Sequence, residues 1–243
     1  MEVNVLGSSS SGNCYLLQGK KETLILEAGV PYKNILKGLN FDISNVVGCL
    51  VTHEHLDHAK AIKDLTQKGI DVYASHGTLV RSMAMNHRGH IIKSEKQFTV
   101  GGFTVLPFAV EHDAAEPLGY LIQHQEIGKL LFITDSYYCK YKFKELNHIF
   151  IECNYSAEIL KDNLKQGYIP IGLRNRLIKS HFSLENVKEF LKANDLSHVK
   201  EITLIHLSDS NSNSQQFKED TEALTGRPVY VANKGLSLDL SIF

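Results

Sequence analysis

From its first residues the chain alternates short apolar, β-branched runs with polar punctuation. "MEVNVLG", "CYLLQG", "TLILEAG", "VVGCLVTH", "DVYAS" and "FTVLPFAVEH" each predict a strand, and most close on Gly, His or Asp. Between some of them, "AKAIKDLTQKG" and "GTLVRSMAMNHRG" return an apolar residue every three or four positions, which predicts amphipathic helices. The second half continues in this style, with strands at "GYLIQHQ", "KLLFITDS", "HIFIECN" and "EITLIHLS" and helices at "SAEILKDNLKQG", "SLENVKEFLKAND" and "NSQQFKEDTEALTG". Ser183 suits the N-cap of the second of these helices, and Gly226 followed by Pro228 stops the third. The mixture is α/β in two sheet-rich halves. Hairpin-like strand pairs open each half, so the order is not a strict βαβ alternation, and a layered αββα sandwich suits the elements.

Composition narrows the class. At 243 residues the chain can bury a substantial core, and without a low-complexity tract or long polar linker it reads as one domain spanning residues 1–243. An apolar fraction of 43% and a charged fraction of 22% are ordinary for a globular protein. The formal net charge of -1 creates no global field towards nucleic acid or anionic membranes, so any polyanion must be bound locally. The start has no basic stretch leading into a long apolar one, and no apolar run approaches the roughly 20 residues that span a bilayer. The expectation is a cytoplasmic protein with no membrane partner. Cys14, Cys49, Cys139 and Cys153 show no C-x-x-C pairing and read as free core thiols in a reduced compartment.

The segment "VTHEHLDHAK" gathers His53, His55, Asp57 and His58 within six positions, directly after a buried-strand pattern. In extended backbone His53 and His55 point to the same side and can share an ion. Asp57 and His58, where the chain turns into a helix, can reach a second ion close by. The spacing differs from the H-E-x-x-H of helical zinc proteases, and an incidental histidine-rich loop is the competing reading. Further along, His112, Asp135 and His206 each stand at the C-terminal end of a strong strand, where α/β sheets place functional groups.

These residues, with "GSSSSGNCYLL", "THEHLDHAKAI", "EHDAAEPLGY", "ITDS", "IECNYS", "KSHFSLENV" and "HLSDSNSN" in that order, resemble the metallo-β-lactamase fold superfamily and its WalJ/YycJ-like branch of metal-dependent nucleases. The resemblance implies a four-layer αββα metallo-β-lactamase-like sandwich and a site for two divalent transition-metal ions. In that scheme His53, His55 and His112 hold one ion and Asp57, His58 and His206 the other, with Asp135 bridging and Asp57 also counted as catalytic. Nitrogen and carboxylate donors without thiolate suit zinc or manganese. The family usually has an aspartate in the "LIDAG" turn; this chain has Glu27 in "LILEAG", a methylene longer, with an expected small shift of the metal loop.

Glu152 and His181 resemble the glutamate and histidine that ribonuclease Z-like phosphodiesterases place near the leaving group; a lactamase needs no such pair. A carboxylate bonded to imidazole raises its pKa and makes it a competent general acid. The expected function is therefore a binuclear phosphodiesterase acting on nucleic acid, with 3′,5′-cyclic nucleotides as the alternative substrate and thioesters or lactams ranked third. Self-association into a homodimer is left open. Lys161, Lys165, Arg174, Arg176 and Lys179 form either a phosphate-binding rim or the solvated face of two helices. The Gly7–Asn13 loop reads as a hairpin turn and only a weak phosphate cradle. His76, His87, His90, His124, His148 and His198 read as surface or structural.

Overall fold

A computed structural model describes residues 1–242. The chain divides into two compact units: the first comprises residues 1–109, 114–128 and the stretch from Ala232 onward, the second residues 110–113 and 129–231. The division therefore does not follow the two sequence halves cleanly.

The first unit opens with β1 (Glu2–Gly7), β2 (Cys14–Gln18) and β3 (Thr23–Leu26), antiparallel neighbours. After helix α1 (Tyr32–Gly38) come β4 (Val46–Leu50), the short helices α2 (Leu56–Ala59) and α3 (Ile62–Gln67), β5 (Val72–Ala74), α4 (His76–Arg81) and β6 (Gly89–Ile91). From β3 to β6 the strands run parallel. A separate antiparallel meander follows, built from β7 (Phe98–Val100), β8 (Phe103–Ala109) and β9 (Leu118–His124). Leu16, Ile25, Ile35, Cys49, Ile62, Leu65, Val72 and Leu79 form one buried cluster, in which the apolar stripes of α1, α3 and α4 cover the first sheet.

The second unit holds the parallel strands β10 (Gly128–Ile133), β11 (His148–Glu152), β12 (Glu201–Ile205) and β13 (Val229–Val231). Between β11 and β12 lie α5 (Ala157–Lys165), α6 (Ile171–Ser180) and α7 (Leu184–Lys192), and between β12 and β13 lies α8 (Ser214–Thr225). The central parallel strand β11 is buried at every residue, as a strand covered on both faces must be. Ser183 caps α7 by accepting the Asn186 amide at 3.2 Å, and Gly226 closes α8 in the left-handed conformation at φ 63°. The chain then returns to the first unit, where β14 (Ser237–Asp239) pairs antiparallel with β1.

Two helix expectations need correction. The helix over "AKAIKDLTQKG" is shorter than expected: Ala59 is already the last residue of α2, which begins just after His55, and only Ile62–Gln67 of the stretch forms α3. The helix over "GTLVRSMAMNHRG" stops at Arg81; Met83 turns to φ 52° and both Met83 and Met85 project outward, so their apparent helical period is not a buried face. All four cysteines are free and buried, as expected. No helix among the described residues is long and apolar enough to cross a membrane.

Candidate metal centre

In the first unit, the ends of β3 and β4 build one ligand set. Beyond β4, Thr52 turns its hydroxyl to His53 Nδ1 at 3.0 Å, leaving His53 Nε2 to lie 3.1 Å from His55 Nδ1. The expected same-side pairing of the two imidazoles is thus present. The His58 ring sits 4.3 Å from that of His53, centroid to centroid, and His58 Nε2 lies 3.5 Å from Asp57 Oδ2.

The loop carrying Asp57 and His58 is held from beneath. Gly29 packs so closely on it that a Cβ would stand 1.7 Å from the Asp57 carbonyl oxygen, which explains glycine in the "EAG" turn. The Ala28 amide donates to the His58 carbonyl, and Asn13 donates both its backbone and its side-chain amide to the Asp57 carbonyl, at 2.8 and 3.1 Å. Asn13, which in sequence reads only as the end of a hairpin-like loop, is therefore a positioning residue. Glu27 is fully buried, with one carboxylate oxygen 3.4 Å from His58 Nδ1 and the other accepting the Thr52 amide at 3.3 Å. Its extra methylene still leaves the carboxylate close to Nδ1 of the imidazole, while His58 Nε2 lies 3.1 Å from the Asn13 side-chain amide. Burial pushes the Glu27 carboxyl up, with His58 and Thr52 pulling in the opposite direction.

In the second unit the ends of β10, β11 and β12 converge with the C-terminal end of α6. His112 Nδ1 donates to the Ser180 carbonyl at 2.7 Å, so its Nε2, 3.5 Å from Asp135 Oδ2, is the free donor nitrogen. Burial holds His112 below the usual imidazole range despite Asp135, keeping the ring neutral as a ligand must be. Asp135 also bonds to His206 Nδ1 and accepts the Thr134 hydroxyl at 2.8 Å. Asp135, Glu152, His181 and His206 each place a donor atom within 4.8 Å of all the others. Burial works against the charge of His206, but Asp135 and Glu152 outweigh it and raise its pKa to about 10.

Glu152 and His181, predicted as partners, are in contact: His181 Nδ1 donates to Glu152 Oε1 at 2.6 Å. The other Glu152 oxygen accepts the amides of Ser136 and Phe182 at 3.0 and 3.1 Å. Burial penalises both charges. The pair's mutual attraction prevails, holding Glu152 below the usual carboxylate range and His181 above the usual imidazole range.

Three of these residues carry backbone strain. Glu27, Asp135 and His206 adopt φ of 64°, 43° and 51°, one or two residues beyond β3, β10 and β12. Such conformations cost of order 1–3 kcal/mol in a non-glycine residue and persist where the surroundings over-determine them. The strand ends are bent so that side chains which would otherwise follow the sheet's alternation are aimed at their partners.

Both sets fit a transition metal. In the first set two imidazole nitrogens, of His53 and His55, meet at hydrogen-bond distance, and in the second imidazoles face carboxylates, a mixture of donors that suits zinc or manganese. Among the remaining histidines, His124 is bonded to Glu22, His148 to Glu201, and His90 stacks on Tyr73, all structural roles. Lys161, Lys165, Arg174, Arg176 and Lys179 lie on α5 and α6 as exposed residues.

Residues 9–137 match the model of the metallo-beta-lactamase superfamily, and the chain belongs to that superfamily of metallo-hydrolases. Within it, the chain falls in the WalJ/YycJ-like group. It is 31% identical over 230 residues to the exodeoxyribonuclease YycJ of Bacillus anthracis, covering 87% of this chain and 84% of that protein. It is 28% identical over 257 aligned positions to the exodeoxyribonuclease WalJ of Streptococcus pneumoniae, covering 99% and 92%. The crystal structure of the metallo-beta-lactamase fold protein YhfI from Bacillus subtilis superposes with a TM-score of 0.74 at 15% identity, over 98% of both chains. The fold is the αββα sandwich expected from the sequence.

Proposed function

We propose that this chain is a binuclear metal-dependent phosphodiesterase that hydrolyses DNA strands, with both units acting as one catalytic domain. Superfamily membership and the exodeoxyribonuclease names of its relatives support this reading, and the contact of Glu152 with His181 carries it towards phosphodiesters. His53, His55 and His112 would hold one ion and Asp57, His58 and His206 the other, with Asp135 bridging. When bound, such ions polarise the phosphoryl group and activate water. Asp57 serves the site as a ligand, its backbone fixed by Asn13 and Gly29.

The protein's own proton chemistry lies with His181. Its Nδ1 is committed to Glu152, so the Nε2 proton is the one available to the departing deoxyribose oxygen as the P–O bond breaks; the ring then recovers a proton from solvent. Glu152 remains a carboxylate throughout, anchored by two backbone amides. The exposed cations of α5 and α6 provide the local positive charge that a polyanion needs on a chain with a net charge of -1. Free buried cysteines and a DNA substrate accord with a cytoplasmic protein.

The leaving group tests this reading. His181→Ala should keep its metal yet lose about 10²–10⁴-fold in rate on a DNA phosphodiester, whose alkoxide leaves poorly without a proton. Hydrolysis of bis(p-nitrophenyl) phosphate, which needs little protonation, should suffer far less. Equal losses on both substrates at unchanged metal content would remove His181 from the role of acid.

A further inference from the structure

Beside the Glu152–His181 pair, and wholly within the second unit, a pocket of about 320 Å³ opens between residues 138–142 and the face of α7. That volume stands at the lower end of the range for small-molecule pockets, about 300–1,000 Å³, and suits one nucleoside rather than a run of them. We propose that it receives the terminal nucleobase of a single-stranded DNA end, with Tyr138, Tyr141, Phe182 and Phe190 supplying the apolar walls and Lys140 and Lys142 facing the adjoining phosphates. The assignment rests on the nuclease reading above and names the part of the substrate that this face holds.

The pocket is tied to the reaction centre through one carboxylate oxygen. Glu152 Oε2 accepts the amide of Ser136, whose hydroxyl donates to the Tyr138 carbonyl at 2.7 Å, and also the amide of Phe182, which lines the pocket and directly follows His181. A group seated there lies within three residues of Asp135 along one wall and one residue of His181 along the other. Tyr138 is 56% exposed, a large ring with no fold-building role of its own. Phe182 and Phe190 meet edge to face with centroids 6.4 Å apart and are themselves buried, so they form an apolar floor and the exposed ring of Tyr138 offers the aromatic face.

The charges and hydrogen bonds of the lining define the ligand further. Neither Lys140 nor Lys142 has an ion pair among the described residues; the Lys140 ammonium lies 5.2 Å from the centroid of the Tyr141 ring. Glu189, the one acid of the lining, is paired with Lys192 at 2.8 Å, so the free charge is positive. Asn194 accepts the Phe143 amide and donates to the Phe190 carbonyl, while the Asn186 amide donates to the Tyr137 carbonyl. These amides hold the walls instead of reading base edges, so recognition is by ring faces and is tolerant of base identity. Cys139 is no alternative nucleophile, because burial pushes its thiol up to about 11. A strand end fits better than an internal position, since an unpaired terminal base leaves its stack at the least cost.

Binding of phosphorothioate-linked single strands to the full-length, metal-loaded protein tests the assignment, with 2-aminopurine placed at either end or at the centre. Quenching should occur for one terminal label and not for the central one, and a strand abasic at that end should bind about tenfold or more weakly. The four natural terminal bases should bind within a few-fold of one another. Tyr138→Ala should remove both the quench and the penalty for the abasic end, and Tyr138→Phe should keep both, with thermal unfolding confirming that each variant is folded. An unquenched terminal base, or a quench that survives in Tyr138→Ala, would overturn the pocket assignment. Cleavage of natural strands without terminal quenching would sink the pocket and leave the nuclease reading standing; terminal quenching without cleavage would do the reverse.

Discussion

His181 Nδ1 and Glu152 Oε1 lie 2.6 Å apart in the interior of the second unit, and the same carboxylate accepts two backbone amides through its other oxygen. Burial alone would lower the pKa of His181; the carboxylate reverses that and raises it, so the imidazolium persists to higher pH than a free histidine. A general acid works only while protonated, so the rate should fall as pH rises through the folded pKa of His181. Glu152→Gln removes the charge and keeps the shape. It should move that falling limb to lower pH and reduce kcat at neutral pH by about 10²-fold or more, measured on a DNA substrate across a pH series. An unmoved limb would show that another group sets the profile.

Metal loading should release protons. In the metal-free protein Asp135 and Glu152 overcome the effect of burial and hold the His206 pKa at about 10, so the ring is charged at neutral pH, whereas a metal takes only the neutral ring. Titration calorimetry at pH 7.5 in buffers of different ionisation enthalpy should show proton release on binding. The sign also fixes stability: a raised pKa stabilises the metal-free fold fully below the ordinary imidazole range, and that contribution is lost as pH rises through about 10.

The cluster from His53 to His58 was legible because its ligands share one short loop, and the strand-end positions of His112, Asp135 and His206 were legible because strong apolar runs precede them. Asn13 was not. Its contact to Asp57 joins residues 44 apart in sequence, which no local pattern encodes. The left-handed backbone of Glu27, Asp135 and His206 was equally hidden, since these residue types ordinarily avoid it and only the surrounding hydrogen bonds impose it. Strands β6, β7, β13 and β14 are three residues each, too short to show an alternation. Glu152 and His181 stood out only through family resemblance, because their pairing joins β11 to the C-cap of α6.

Gly29→Ala tests how firmly the metal loop is seated. The new methyl would meet the Asp57 carbonyl at 1.7 Å, and backbone cannot yield as a flexible side chain does. Overpacking of this kind costs about 1–3 kcal/mol, and more where the backbone must move. The variant should show a lower Tm and weaker metal retention in dialysis; wild-type values for both would mean that the loop adjusts freely.

Elemental analysis of protein purified without chelator should find close to two transition-metal ions per chain. Asp135→Ala should lower the occupancy of both sites if, as proposed, its carboxylate serves both. A fully occupied mononuclear protein would rule out the bridge.

The claim of DNA hydrolysis is tested most directly by kcat/KM of the metal-loaded wild-type protein on single- and double-stranded DNA, RNA, 3′,5′-cyclic nucleotides and a lactam. A binuclear nuclease of this group should hydrolyse DNA strands with the highest kcat/KM and leave the lactam untouched. A higher kcat/KM on cyclic nucleotides, with DNA uncleaved, would contradict it.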